Sequence, residues 1–227
     1  MKAIINSFHV KDGHCLYSLG AQSIARYCNK RGHSVSLVST KPEQLEKGVE
    51  EILSSGASIY GLSSNYVTEP YVIEMTRRLK ELKGDEITVV VGGPSVTYSS
   101  DDSKIRHSMA DLFVRGDGEE AFYQILEKGV SQVLNGKNKV QGILSRQISD
   151  NSLALIDLTK LPSIFALDFQ TDHIYWETIR GCVFNCIFCA HPGQNARFRE
   201  FPMQKVADEI KYLRRKKFKA VYITDPI

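Results

Sequence analysis

The sequence predicts an α/β protein: a doubly wound parallel sheet, followed by the opening of a second βα unit. Three observations carry that reading. Over residues 1–130, short β-rich runs alternate with helical patterns, the order expected when parallel strands are joined by helical crossovers. The run Ile87–Val91 (ITVVV) is apolar throughout, as in a strand covered on both faces. A fresh strand-then-helix pattern starts at Ile174.

Taken in order, Ala3–Ser7 is apolar and strand-like, and Leu19–Lys30 is helical, with Gly32 just past its end as a stop signal. Ser34–Ser39 alternates as a strand, and Pro42–Ser54 places Leu45, Val49, Ile52 and Leu53 on one helical face. Ser58–Ser63 reads as a buried strand. Thr68 is placed to cap the next helix, whose inner stripe is Val72, Met75, Leu79 and Leu82. Gly92-Gly93-Pro94 stops the ITVVV strand, Asp111–Val114 is a short strand, and Gly118–Glu127 a helix. Such a sheet puts its ligand crevice at the carboxyl ends of the strands, here the loops Phe8–Ser18, Ser64–Thr68, Gly92–Thr97 and Gly116–Glu119.

Residues 129–173 change character. Val140–Arg146 and Leu153–Asp157 can pair as a hairpin across Ser149–Ser152, and Leu158–Ser163 (LTKLPS) reads as a linker. Ile174–Ile179 then forms a strand, a cysteine-rich loop follows, Met203–Lys216 is a helix with inner face Met203, Val206, Ile210 and Leu213, and Lys219–Thr224 is the next strand. A unit this small leaves the faces of a parallel sheet uncovered. The expected organisation is therefore a domain over 1–130, a hairpin and linker over 131–173, and the truncated start of a second domain over 174–227.

Composition narrows the functional classes. The net charge of +3 over 227 residues gives no reason to expect nucleic acid or a membrane as partner. The basic run Lys211–Lys219 reads as the solvated end of a helix. There is no apolar stretch of bilayer length, and MKAIINSF enters a strand directly, unlike a signal peptide. Of 5 cysteines, three crowd into residues 182–189, which is not the spacing of a disulfide framework. A reducing, cytoplasmic setting follows, in which thiolates stay available for metal.

Those three, Cys182, Cys186 and Cys189, are spaced C-x3-C-x2-C. Three thiolates on one tight loop suit three corners of a cubane iron–sulfur cluster. The fourth iron would lack a protein ligand and stay open to a small chelating molecule, as an open position marks a catalytic metal. Gly181 lets the backbone turn beside the cluster. The competing reading is structural zinc with His191 as fourth ligand, although such sites usually split their ligands into two separated pairs.

RGCVFNCIFC (Arg180–Cys189) resembles the signature of the radical S-adenosylmethionine (SAM) enzymes, with Phe188 in the aromatic place. The resemblance implies a 4Fe-4S cluster on the three cysteines, SAM on the open iron with Phe188 near its adenine, and reductive cleavage to a 5′-deoxyadenosyl radical. It also implies that 174–227 is the first part of an incomplete radical SAM βα barrel.

Ahead of that loop, Tyr17–Ser39, Tyr60–Ser64 (YGLSS), Val89–Thr97 (VVVGGPSVT) and Phe113–Phe122 (FVRGDGEEAF) resemble the cobalamin-binding class of radical SAM proteins, in order and spacing. The first domain is thereby expected to be cobalamin-binding, Rossmann-like in fold. Gly92 and Gly93 would let backbone approach the broad, flat cofactor. Ser63 and Ser64 could hydrogen-bond its nucleotide tail, or satisfy nearby backbone. Gly116 and Gly118 complete the implied cofactor contacts, while Asp117 and Glu119 argue against a phosphate cradle at that helix start. Asp12-Gly13-His14 departs from the family's Asp-x-His-x-x-Gly motif for a cobalt-ligating histidine, because Tyr17 stands where glycine is required. His14 is therefore read as a loop histidine, and Cys15 and Cys28 as ordinary. No G-x-G-x-x-G follows the first strand, which argues against a dinucleotide domain.

The implied function is radical methylation of an unactivated carbon, with methylcobalamin as methyl donor. The implied partners are a small-molecule or peptide substrate and an electron donor such as flavodoxin or ferredoxin. No side chain is assigned a catalytic role. Cyclisation or rearrangement by the same domain pair, and a binding module without turnover, are the alternative outcomes.

Overall fold

The computed structural model of the chain describes residues 1–9, 18–98, 106–107, 109–135, 139–145, 148, 152–166, 173–184, 186–187, 189, 198–216 and 218–226. Six strands form the main sheet: β1 (Lys2–Phe8), β2 (Ser34–Thr40), β3 (Ile59–Ser63), β4 (Thr88–Gly92), β5 (Leu112–Val114) and β6 (Ile143–Leu144). Their order is β2-β1-β3-β4-β5-β6. All neighbours run parallel except β6, which is antiparallel to β5. The helices between them are α1 (Leu19–Asn29), α2 (Leu45–Ser54), α3 (Glu69–Lys83), the short α4 (Pro94–Thr97), α5 (Gly118–Lys128) and α6 (Val130–Leu134). Chain direction across the sheet reverses between β1 and β3, which makes that gap the switch point where such folds take ligands.

The strand alternation explains why both faces are covered. Successive side chains of β1 point to opposite faces. Ala3 and Ile5 join Ala21 and Ala25 of α1 and Ile125 and Leu126 of α5 in one core. Ile4 joins Val49 and Ile52 of α2 and Val72, Met75 and Leu79 of α3 in the other. The expected α3 stripe holds for those three residues, but Leu82 lies exposed at the helix end. Thr68 occupies the N-cap of α3 without capping it by side chain. Its Oγ1 instead accepts from Asn65 N at 3.1 Å, and Asn65 Oδ1 accepts from the amides of Val67 and Thr68. The helix expected from Pro42 opens with a 3₁₀ turn, Pro42–Gln44, before α2 begins.

The expected hairpin over 140–157 is not what forms. Ile143 and Leu144 pair with Val114 and Phe113 of β5, and Ala154 bridges Gly116 in parallel. The two segments converge on one residue: Arg115 N donates to Gly142 O, and Ala154 N donates to Arg115 O. A sheet edge with unpaired amides offered more hydrogen bonds than a local hairpin.

The second unit comprises β7 (His173–Trp176), β8 (Ile179–Arg180), β9 (Arg199–Glu200), α7 (Met203–Lys216) and β10 (Ala220–Ile223). β10 lies parallel to β7, and β8 pairs antiparallel with β9. The strand expected over Ile174–Ile179 is therefore two strands. Asp225, past the end of β10, breaks it: Oδ1 accepts from Thr178 N (2.7 Å) and Ile179 N (3.2 Å), and Oδ2 from Thr178 Oγ1 (2.5 Å). The inner face of α7 is also rotated from expectation. Val206, Tyr212 and Leu213 pack on Ile174 and Trp176, whereas Met203 and Ile210 are exposed. Glu209 turns inward to accept from Trp176 Nε1 at 2.8 Å, with Lys205 Nζ at 3.1 Å.

Residues of the expected linker bind the two units together. Ile156, Leu158 and Leu161 pack with Tyr27 of α1 and with Phe201, just ahead of α7, in a core of their own. Among the described residues, no helix is long and apolar enough to cross a membrane.

Candidate functional site

The carboxyl edge of the main sheet brings together loops that the sequence keeps far apart. Ser18 caps α1 by accepting from Ala21 N at 3.1 Å. Its hydroxyl also bridges two strand ends: Ser7 Oγ of β1 donates to it, and it donates to Ser63 Oγ of β3, both at 3.3 Å. This hydroxyl relay spans the β1–β3 switch point. Beside it, a cavity of about 120 Å³ is lined by Gly20, Ile24, Gly61, Ser63, Gly92 and Phe122, among others. Most of that lining is backbone and hydrocarbon, with the Ser63 hydroxyl among it, the mix of apolar wall and few polar points common in ligand sites.

Ser64 is wholly buried. Its amide donates to Gly92 O (2.8 Å), and its carbonyl accepts from Ser95 N (3.3 Å). The hydroxyls of Ser64 and Ser95 are both buried without a hydrogen-bond partner. An unsatisfied buried hydroxyl costs about 1–3 kcal/mol, and such groups in native proteins call for a missing partner. Of the expected pair, then, Ser63 is tied into the relay and Ser64 has hydrogen-bonding capacity to spare.

The glycines divide by cause. At Gly93 (φ +105°) an added Cβ would lie 2.4 Å from Ser64 O, and at Gly116 (φ +87°) 2.3 Å from Ala154 O. Both are demanded by the chain's own close packing. Gly92 meets only ordinary contacts with Val114. At Gly118 a Cβ would meet the flexible end of Ile24. Gly20 has nothing within 4 Å of its added Cβ, so it marks open space on the cavity wall.

The cysteine loop leaves β8 through Gly181 (φ +80°). Cys182 is half-buried, and Cys186 and Cys189 are exposed. Cys189 N donates to Cys186 O at 3.0 Å, forming a turn, and Phe184 N donates to Cys182 Sγ at 3.4 Å. Among the described residues, no three His, Cys, Asp or Glu side chains converge closely enough to hold a metal ion. The donor set nevertheless fits an iron–sulfur cluster: three sulfurs on one loop, one of them already accepting a backbone N–H, a feature that tunes such clusters. Phe188, His191 and the Asp12–His14 stretch lie outside the described residues.

Between this loop and the sheet edge lies a second cavity of about 250 Å³. Gly93 and Gly116 line both cavities, so the two spaces share these glycines as a common wall. Tyr98, following α4, lines the second cavity. Burial, reinforced by the nearby Asp117 and Cys189, pushes its phenol up to about 12. It is a neutral hydrogen-bonding group at physiological pH.

A charge cluster closes one side. The Arg180 guanidinium donates to both carboxylate oxygens of Glu119 (3.1 and 2.7 Å) and to Glu177 (2.6 Å), and lies 3.3 Å from Asp117. Arg199 binds Asp117 at 2.5 Å and Ile156 O at 2.9 Å. Glu119 also accepts from Ser23 Oγ at 2.5 Å. Two cations thus serve three carboxylates. Burial opposes ionisation of Glu119, but Arg180 and the hydrogen bonds from Arg180 and Ser23 outweigh it and hold the carboxyl below the usual range. Glu177 is shifted upward, because its burial and the neighbouring Glu119 outweigh its share of Arg180. Glu120, next in α5, takes the Tyr27 hydroxyl at 2.5 Å, so both acids at this helix start have structural partners.

Sequence reasoning found the cysteines and the loops, but not Ser7, Ser18, Tyr98, Asp225 or the Arg180–Glu119 pair. The visible signals were an arginine directly before Gly-Cys and a Gly-Glu-Glu helix start. Their meeting in space has no sequence signature.

A family model for the B12 binding domain matches residues 8–126. The chain is 26% identical over 220 residues to an anaerobic magnesium-protoporphyrin IX monomethyl ester cyclase of Synechocystis sp., covering 87% of this chain and 42% of that protein. It is 25% identical over 178 residues to the cobalamin-dependent radical SAM methyltransferase TokK of Streptomyces tokunonensis, covering 68% and 26% respectively. Over 56% of its length it is similar to 58% of a cobalamin-binding protein from Desulfitobacterium hafniense of known crystal structure, at 16% identity and a TM-score of 0.40. The chain spans less than half the length of these two curated relatives.

Proposed function

From the premise that this chain belongs to the B12-binding domain family, we propose that it acts in a cobalamin-dependent radical SAM enzyme. In this reading cobalamin lies along the carboxyl edge of the main sheet and a 4Fe-4S cluster on Cys182, Cys186 and Cys189. The observation that carries the proposal is that two cavities share Gly93 and Gly116 in their walls, one at the carboxyl edge of the sheet and the other reaching Gly181, directly before Cys182.

The relatives support the class of chemistry: one is named a cyclase, another a cobalamin-dependent radical SAM methyltransferase. When bound, the two cofactors would supply radical generation and a transferable methyl group. Methyl transfer to an unactivated carbon is the outcome we favour, with cyclisation as the rival. The chain's own residues hold and exclude. Ser63, linked through Ser18 to Ser7, lines the cavity assigned to cobalamin, and the spare hydroxyl of Ser64 is assigned to the same sheet edge. Gly20, Gly61 and Gly92 keep side chains out of the crevice. Gly118 opens α5 beside it, and Asp225 fixes the start of the cluster loop. Phe188 is assigned to the SAM adenine. A small-molecule or peptide substrate and a flavodoxin- or ferredoxin-like electron donor complete the proposal.

A second reading is a cofactor-binding module without turnover. One experiment separates the two. The chain is purified anaerobically with hydroxocobalamin, reconstituted with iron and sulfide, and given SAM and dithionite. Release of 5′-deoxyadenosine, lost together with iron in Cys186→Ala, supports the enzyme. Retention of both cofactors without SAM cleavage supports the module. Zinc as the only bound metal would refute the cluster assignment.

A further inference from the structure

The strands that flank the cysteine loop, β8 before it and β9 after it, are each tied by an arginine to the same place. Arg180 of β8 reaches Glu119, and Arg199 of β9 reaches Asp117. These carboxylates sit at and just before the start of α5, whose Gly116–Gly118 approach lines the cobalamin-side cavity. The ties are well shielded. Glu119 is only 2% exposed and the Arg180 side chain 12%. Ser23 of α1 holds Glu119 from behind at 2.5 Å. Only Gly181 stands between Arg180 and the first cysteine, so the guanidinium is nearly the last fixed point before the loop.

A plain interdomain ion pair needs no such arrangement. A planar guanidinium held by two carboxylates from different elements fixes orientation as well as contact. With the loop pinned at both stems, its distance from the crevice is set by two points and cannot swing about one.

We propose that Arg180, with Arg199 as the second point, is a positioning residue that sets the separation between the two cofactors by clasping the cysteine loop to the start of α5. This rests on the functional reading above, since it concerns how the two sites are held relative to each other. Neither arginine is given a role in bond making.

The test uses the full chain loaded anaerobically with iron, sulfide and cobalamin, then reduced so that cob(II)alamin and the cluster are both paramagnetic. Their magnetic dipolar interaction, read by electron paramagnetic resonance, reports separation and its spread, which a merely stabilising ion pair would not control in a folded, fully loaded protein. Wild type is expected to give one narrow distribution. Arg180→Met and Glu119→Gln, at equal iron and corrin content, are expected to give a broadened one, and Arg180→Lys an intermediate one. Should Arg180→Met fail to accumulate, Glu119→Gln and Arg180→Lys carry the comparison, since each keeps most of the local volume. Fully loaded variants with the wild-type distribution would overturn the clasp alone. A wild type that takes up neither corrin nor iron would overturn the functional reading, and the clasp with it.

Discussion

Glycine means different things at different positions along this crevice, and the differences are measurable. Gly93 and Gly116 have left-handed backbones, and an added Cβ at either would strike main-chain oxygen. Alanine at either site should destabilise the fold by about 2 kcal/mol or more, lowering the thermal midpoint by roughly 4–8 °C for a domain of this size. Gly20 lies in the first turn of α1 facing open space. Gly20→Ala should leave the midpoint unchanged or raise it, since alanine favours helix by up to about 1 kcal/mol. Gly20 lines the cavity assigned to cobalamin, so an added methyl group should lower hydroxocobalamin affinity severalfold; a stability loss with unchanged affinity would contradict this assignment. The cysteines separate in the same manner. Burial, with Glu119 adding to it, pushes the Cys28 thiol up to about 12, whereas Cys186 and Cys189 are exposed. Iodoacetamide at pH 8 should label Cys186 and Cys189 in the folded, metal-free chain and reach Cys28 only after unfolding, as peptide mass mapping would show. The sequence motif made the cysteines legible as a set. It could not distinguish a glycine needed by the chain from one needed by a ligand, because that depends on which atoms approach from elsewhere in the fold.

Among elements, the start of α5 carries the most consequence. Glu119 has its folded pKa held below the ordinary glutamate value. Its stabilisation is therefore complete above that ordinary value and is lost as pH falls through the depressed one. Removing one partner of a buried ion pair costs about 3–5 kcal/mol. Glu119→Gln should thus be clearly less stable than wild type at pH 7, and the gap in denaturant unfolding free energy should narrow in acid. Glu177 has the opposite shift, raised above the ordinary value, so its contribution is present at low pH and is lost as pH rises through the raised value. Glu177→Gln should accordingly cost less at pH 7 than Glu119→Gln; the reverse ranking would contradict the charge balance described for Arg180. The elements themselves were largely legible. β1 to β5, α1 and α5 fall within one or two residues of expectation because their apolar and helical patterns agree with their burial. The failures share a physical cause. Ile143–Leu144 joined a distant strand edge, Ile174–Ile179 was split by Asp225, and α7 rotated to give Trp176 a carboxylate partner. In each, a tertiary hydrogen bond overrode a local pattern.

At the scale of the whole molecule, the parallel sheet and the cysteine unit meet edge to loop. Strand order places the switch point at β1–β3, the shared core of Tyr27, Ile156, Leu158, Leu161 and Phe201 joins the two units, and the Arg180 and Arg199 pairs fix the approach. The sheet and the cysteine loop were each evident from sequence. Their contact was not, since it rests on residues as far apart as Ser23 and Arg180. Every role proposed for this chain depends on the crevice at the carboxyl edge of β1, β3 and β4 holding cobalamin. The direct measurement is to incubate the chain with excess hydroxocobalamin, separate it by gel filtration under anaerobic conditions, and record the visible spectrum of the protein peak. Close to one corrin per chain is expected in that peak. A protein peak that stays folded by circular dichroism yet carries no corrin absorption would contradict it.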